Sequence, residues 1–206
     1  MTVFTCITNQ KDNLISVNRE EGVRYVCFTD QNFKHPVWEF LPAETYGLCD
    51  PRRVARLYKI LSHVWFPDEE TIWIDGRVQL LKPVKHYLDR YKGIVCARPH
   101  HDRNCIYKEA EQVKKLRYDD DDIVDSYINR LEGYPPDNGL HETGMVLRRP
   151  GCEEFNLLWW SMVSSGSKRD QLSFDWVAWR LGVKITDIQR AEVRVHRHKR
   201  ITNKNT

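Results

Sequence analysis

The sequence predicts an α/β fold in which one mixed sheet carries helices on both faces, and three observations lead there. Short runs rich in β-branched and aromatic residues recur at residues 3–8, 25–29, 71–75 and 94–97. Segments with helical spacing of apolar residues follow several of them. Turn and capping residues separate the two kinds of segment, and that alternation is the pattern of a sheet sandwiched between helices.

The element between the second and third strands has the clearest helix signature. Asp50 is placed as the N-cap and Pro51 at the first helical position, and Val54, Leu57, Tyr58 and Leu61 recur at helical spacing. Arg52, Arg53, Arg56 and Lys59 occupy the other side. A second helix is expected from the acidic run 119–122 to near Gly133, with the acids serving as caps. After a Pro/Gly-rich loop at 134–139, residues 145–147 read as a strand, followed by a helix whose Phe155, Leu158, Trp159 and Met162 face a core. The last helix runs over 171–181 and stops at Gly182, with Leu172, Trp176 and Trp179 on one packing stripe.

A chain of 206 residues that is 41% hydrophobic is long enough for one substantial core. We read residues 1–195 as one domain and 196–206 as a basic tail. The net charge of +3 provides no overall polycation. No run approaches the roughly 20 apolar residues of a membrane span and no secretory leader is evident, so the expected location is cytoplasmic. The six cysteines form no metal-binding or redox motif, and Cys6, Cys27 and Cys96 fall in apolar runs as small hydrophobes.

In α/β sheets ligands bind outside the carboxyl ends of the strands. Those ends carry Thr8, Asn9 and Asp12, then Thr29 and Asp30, then Asp75, then residues 98–103. Asp75-Gly76-Arg77 joins a carboxylate, a residue permitting close backbone approach and a cation, which suits a phosphate-bearing ligand; an Asp-Gly pair is equally an ordinary hairpin turn. Likewise Arg52, Arg53 and Lys59 form either a solvated helix face or a set of cations for a pyrophosphate. His100 and His101, as neighbours on a strand, should point to opposite faces, so at most one would meet a ligand. His141 and Glu142 precede a strand, and Asp170 and Gln171 stand at a helix mouth, where an acid is by default an N-cap.

Five motifs in order, WIDG, HxxRNCIYKEA, GLHETGMVLRRP, FNLLWW and RDQLSFDWVAW, resemble the TOD/MUCI glycosyltransferase-like domain family, shared by a plant turgor-regulation protein and a seed-mucilage protein. The resemblance covers most of the chain, including TCITNQKD and YVCFTD. It implies a single-domain glycosyltransferase A fold that moves a sugar from a nucleotide diphosphate donor, with a UDP-sugar favoured, to a hydroxyl of a glycan, small molecule or modified DNA base. Carried over, Thr8, Asn9, Asp12, Thr29, Asp30, Arg52, Lys59, Arg77 and Gln171 become donor-site candidates and Asp75 the motif acid. Asp170, Glu142 and His141 then lie nearest the reacting centre. Similar enzymes usually carry Asp-x-Asp where this chain has Arg77 in the third position. Charge on the leaving diphosphate would therefore be offset by Mn²⁺ or Mg²⁺ on Asp75 with His196 or His198, or without metal by Arg77. The competing expectation is a noncatalytic nucleic-acid-binding module that uses the basic tail, with tryptophans available to stack bases.

Overall fold

The computed structural model describes residues 1–196. Seven strands form one sheet in the order β3-β2-β1-β4-β7-β6-β8, where β1 is Thr2–Ile7, β2 Arg24–Thr29, β3 Glu39–Pro42, β4 Thr71–Ile74, β6 Val95–Pro99, β7 His141–Arg148 and β8 Ile185–Asp187. Strands β3, β2, β1 and β4 run parallel. Strand β7 is antiparallel to both β4 and β6, and β8 is parallel to β6. The four strands expected from the first half of the sequence are all present. A separate ribbon pairs β5 (Val78–Leu80) with β9 (Val193–Val195).

Alternation along β1 explains how both faces are buried. Phe4 and Cys6 enter one apolar cluster, and Val3 and Ile7 enter the other. The first cluster is closed by α1 (Pro51–Ile60), α2 (Ser62–Trp65), α4 (Ile106–Lys115), α5 (Asp121–Asn129), α6 (Glu153–Ser165) and α7 (Gln171–Leu181). The second is covered by α3 (Val84–Arg90), the β5/β9 ribbon and the loops before β2 and β3. Helices thus cover both faces, but unequally. Among the described residues no helix is long and apolar enough to cross a membrane.

Helix α1 starts as the sequence predicts, with Asp50 accepting the Arg52 N–H at 2.7 Å and Pro51 in its first turn. Its C-terminus is held by Arg148, fully buried and donating to the carbonyls of Lys59 at 2.5 Å and Ile60 at 2.8 Å. Those carbonyls have no intrahelical partner, and a guanidinium meets both them and the helix dipole. Helix α7 ends at Gly182 with φ +64°, the left-handed cap that glycine permits.

Three local expectations are corrected. The acidic run does not cap α5 through side chains: Asp120 makes no capping bond, and Asp119 turns inward to accept from Ser167 Oγ at 2.7 Å and the Lys168 N–H at 3.0 Å. Asp170 does not cap α7 either, because its backbone is already helical and its carboxylate points elsewhere. Trp179 leaves the core stripe and is exposed, with its ring against Tyr134.

Candidate active site

The carboxyl ends of β1, β2, β4 and β6 and the start of β7 form one edge of the sheet. At its centre Asp75 follows β4. Its N–H donates to Gly144 O at 2.8 Å, and its Oδ1 accepts the Trp73 indole N–H at 2.9 Å. The Asp75 carbonyl accepts the Val78 N–H at 2.8 Å, so Asp75-Gly76 is indeed a tight turn. It is not a hairpin, because β5 pairs with β9 and not with β4. Gly76 is required by its neighbour: a Cβ there would stand 2.8 Å from the Asp12 Cβ. The loop after β1 is thereby laid against the Asp75 turn.

Helix α1 supplies the cations, and its basic residues have four different fates. Arg52 is exposed at the first turn and forms no ion pair among the described residues. Arg53 caps α6, donating to Val163 O and to Gly166 O at 2.7 Å. Arg56 lies between two acids, with Nε 2.8 Å from Asp170 Oδ1 and Nη1 3.7 Å from Asp75 Oδ1. Lys59 is buried and paired with Asp170 Oδ2. The expectation that Lys59 meets a ligand pyrophosphate is thus corrected to an internal partner.

Asp170 is the most enclosed acid of the site. Besides Arg56 and Lys59, it accepts from Thr143 Oγ1 at 3.0 Å, and its carbonyl accepts the Trp159 indole N–H at 2.9 Å. Burial alone would raise its pKa, but Arg56 and Lys59 outweigh burial and hold it at about 2. Burial pushes the Lys59 ammonium down to about 8, which leaves it protonated at neutral pH. Two fixed cations, and not the helix terminus, lower the pKa of Asp170.

Strand β7 brings these groups together through an irregularity. Ala97 pairs with Val146, yet the next β6 residue, Arg98, pairs with Glu142, so three extra residues of β7 bulge between those pairs. Bulges re-aim side chains beside functional sites. Here Thr143 reaches Asp170, and Gly144 meets Asp75.

Upstream of the bulge, Glu142 pairs with buried Arg98, accepts from His101 Nδ1 at 2.9 Å and lies 3.5 Å from Arg190. Burial opposes its ionisation, but Arg98 and its neighbours lower its pKa. His141 is held between Asp175 Oδ1 at 2.5 Å and Asp187 Oδ1 at 3.1 Å, and these acids raise its pKa against the effect of burial. It ties β7 to α7 and β8. His100 and His101 do not alternate, because both follow the end of β6; their rings stack 4.7 Å apart. His100, His101 and Glu142 have ligand atoms within 4.8 Å of one another. They offer no ready metal site, since His100 Nδ1 accepts two backbone N–H groups and its Nε2 faces Arg103.

The nucleoside candidates brace the loops. Thr8 donates to Pro51 O at 2.9 Å and Thr29 to Ile7 O at 2.8 Å. Asp30 accepts the Asn9 N–H at 2.9 Å, and Asn9 and Gln10 turn through left-handed backbone at φ 52° and 51°. Gln171 is half-buried at the α7 mouth, and its Nε2 is sealed from solvent without a partner. The Arg77 side chain forms no ion pair among the described residues, while its carbonyl accepts the His196 N–H at 2.9 Å. His196 Nε2 lies 3.0 Å from Gln79 Oε1. His198 and the rest of the basic tail lie outside the described residues.

The sheet order and this edge define a glycosyltransferase-like α/β domain. The chain belongs to the TOD1/MUCI70, glycosyltransferase-like domain family, whose model matches residues 21–204. It is 29% identical over 185 residues to the probable hexosyltransferase MUCI70 of Arabidopsis thaliana, covering 82% of this chain and 31% of that protein. It therefore spans less than a third of that relative. The structure of the bifunctional glycosyltransferase WbbM without ligand superposes with a TM-score of 0.57 at 13% identity, over 91% of this chain and 38% of that one. That likeness establishes the fold.

Proposed function

We propose that the domain transfers a hexosyl or pentosyl group from a nucleotide diphosphate sugar, with UDP-sugars the first donors to test, to a hydroxyl acceptor. The observation that carries this reading is Arg56, fixed between Asp170 and Asp75 at the sheet edge. A leaving diphosphate gains negative charge in the transition state, and a cation already held in place stabilises it without reorganising. Arg77 and Arg52 add to that field. Thr8, Asn9, Asp12, Thr29 and Asp30 shape the loops that would receive the nucleoside, and Gln171 stands beside Asp170 at the α7 mouth.

Two carboxylates compete for the acceptor's proton, and exposure separates them. Both are engaged on both oxygens, but the Asp170 side chain is 4% exposed and that of Glu142 16%. Glu142 is the base in this reading, and Asp170 is a positioning residue for Arg56 and Lys59. His141 orients the start of β7.

The donor set suits a hard divalent cation in part. Asp75 offers Oδ2, while its Oδ1 is engaged by Trp73 and His196 by Gln79. Mn²⁺ or Mg²⁺ held by Asp75 with His196 or His198 would supply further positive charge for the diphosphate. Calorimetry with nucleoside diphosphates and nucleotide sugars, with and without Mn²⁺, tests the donor site, and turnover in folded Asp75→Ala tests the motif acid. No binding at millimolar concentration, or full turnover in Asp75→Ala, ends this reading. Activity that survives chelation but is lost in Arg77→Ala assigns the charge to protein cations alone.

A further inference from the structure

We propose that the cavity at the ends of β6 and β8 is the acceptor subsite and that it takes a neutral saccharide, one sugar ring deep; this rests on the glycosyltransferase reading above. The cavity holds about 290 Å³ between Pro99, His100, His101, Asp187, Ile188 and Arg190. That is the lower end of small-molecule sites, about 300 Å³, and fits a single ring better than a polymer segment lying flat.

Its lining has two parts. Pro99, Ile188 and the stacked imidazoles of His100 and His101 give an apolar floor. A pyranose has a matching C–H face and a rim of hydroxyls, each both donor and acceptor. The cavity's rim supplies the counterparts already in place: Asp187 is fixed by His141 at 3.1 Å, and Arg190 stands 3.5 Å from Glu142. Asp187 and Arg190 carry opposite charges, so the mouth lacks the array of cations that a nucleic-acid backbone requires.

Position connects the cavity to the reacting centre. His101 lines it and bonds Glu142, and Glu142 stands two residues before Gly144, whose carbonyl holds Asp75. A sugar seated here would direct a hydroxyl toward Glu142 and the donor side.

Saturation-transfer NMR with neutral mono- and disaccharides, with a nucleoside diphosphate present, tests the proposal on the chain and on Gln189→Trp. Gln189 is exposed beside Arg190, and its backbone N–H, not its side chain, bonds Tyr91, so the indole crowds the cavity without removing that bond. At least one saccharide is expected to bind and to weaken about tenfold or more in Gln189→Trp, with nucleoside diphosphate affinity unchanged. Arg190→Ala, which removes a rim donor without filling space, should weaken it too and serves if the tryptophan variant misfolds. No saccharide signal, equal signals in wild type and both variants, or a short oligonucleotide that binds and is displaced by Gln189→Trp overturns the proposal. Saccharide binding without any nucleoside diphosphate binding would sink the donor site and leave the cavity assignment standing.

Discussion

Lys59 and Asp170 form an ion pair sealed from water, the lysine side chain 0% exposed and the aspartate 4%. Removing one partner of such a pair strands the other charge, at a cost of about 3 kcal/mol or more. Asp170→Asn is therefore expected to lower the melting temperature by about 10 °C. Lys59→Met combined with Asp170→Leu should recover much of that loss, because no lysine charge is left buried. A single variant as stable as wild type would show that the pair contributes nothing to the fold.

The same pair sets an acid limit. The Asp170 carboxyl is held at about 2 in the fold and titrates near 3.9 when unfolded. Its contribution, on the order of 2 to 3 kcal/mol, is fully present above about pH 4 and is lost as pH falls toward 2. Denaturant titrations at stepped pH should show wild-type stability falling across this window. In the Lys59→Met, Asp170→Leu variant that part of the slope should vanish.

Arg56→Ala should separate binding from folding. Lys59 still neutralises Asp170, so the fold should survive, while the charged contact proposed for the diphosphate is removed. Turnover is expected to fall about a hundredfold or more, the scale of one lost transition-state donor. Arg56→Lys should restore little, because an ammonium cannot span Asp75 and Asp170 as a planar guanidinium does. Near-normal turnover in folded Arg56→Ala would move the neutralising role to Arg77 or a metal.

Gly76→Ala places a methyl group 2.8 Å from the Asp12 Cβ and 3.1 Å from Ile7 Cδ1. The β1 loop must then lift from the Asp75 turn. Nucleoside diphosphate affinity should drop about tenfold, a loss of roughly 1.4 kcal/mol, with a smaller change in melting temperature. Gly144→Ala, whose nearest contact is 3.4 Å from Asp75 Oδ2, is the milder control. Equal effects of the two would mean that the Asp12 contact is not what shapes the pocket.

Much of the fold was legible because its central strands are buried on both faces and read as unbroken apolar runs. The 171–181 helix carries its own stop signal at Gly182. The edge strands β3 and β8 were not legible, being short and only partly buried. Neither was the β5/β9 ribbon, whose partners are more than a hundred residues apart. At the site, Asp75 and Asp170 could be found from motif and strand-end reasoning. Arg56 could have been found by the same route, since positions 52, 56 and 59 share a helix stripe. What local reasoning missed was that the C-terminal part of this stripe, Arg56 and Lys59, turns inward while Arg52 stays exposed: a row of cations looks solvated until the acid that draws it into the core is known, and Asp170 lies 111 residues from Lys59. The fate of His100 and His101 depended on where β6 ends, and strand periodicity cannot say that.

The bulge in β7 makes the strand a slip joint. Thr143, Gly144 and Met145 add length on the β6 side, while β4 continues to grip Met145 and Gly144 in register. Gaining a residue between Glu142 and Thr143 would turn Glu142 and His141 each to the opposite face while leaving the Gly144–Asp75 bond in place, because a one-residue shift in a strand inverts every side chain beyond it. On the reading proposed above, small length changes at this point would alter the acceptor side and keep the donor side intact. A comparison of β7 lengths among relatives with different acceptors would test this directly.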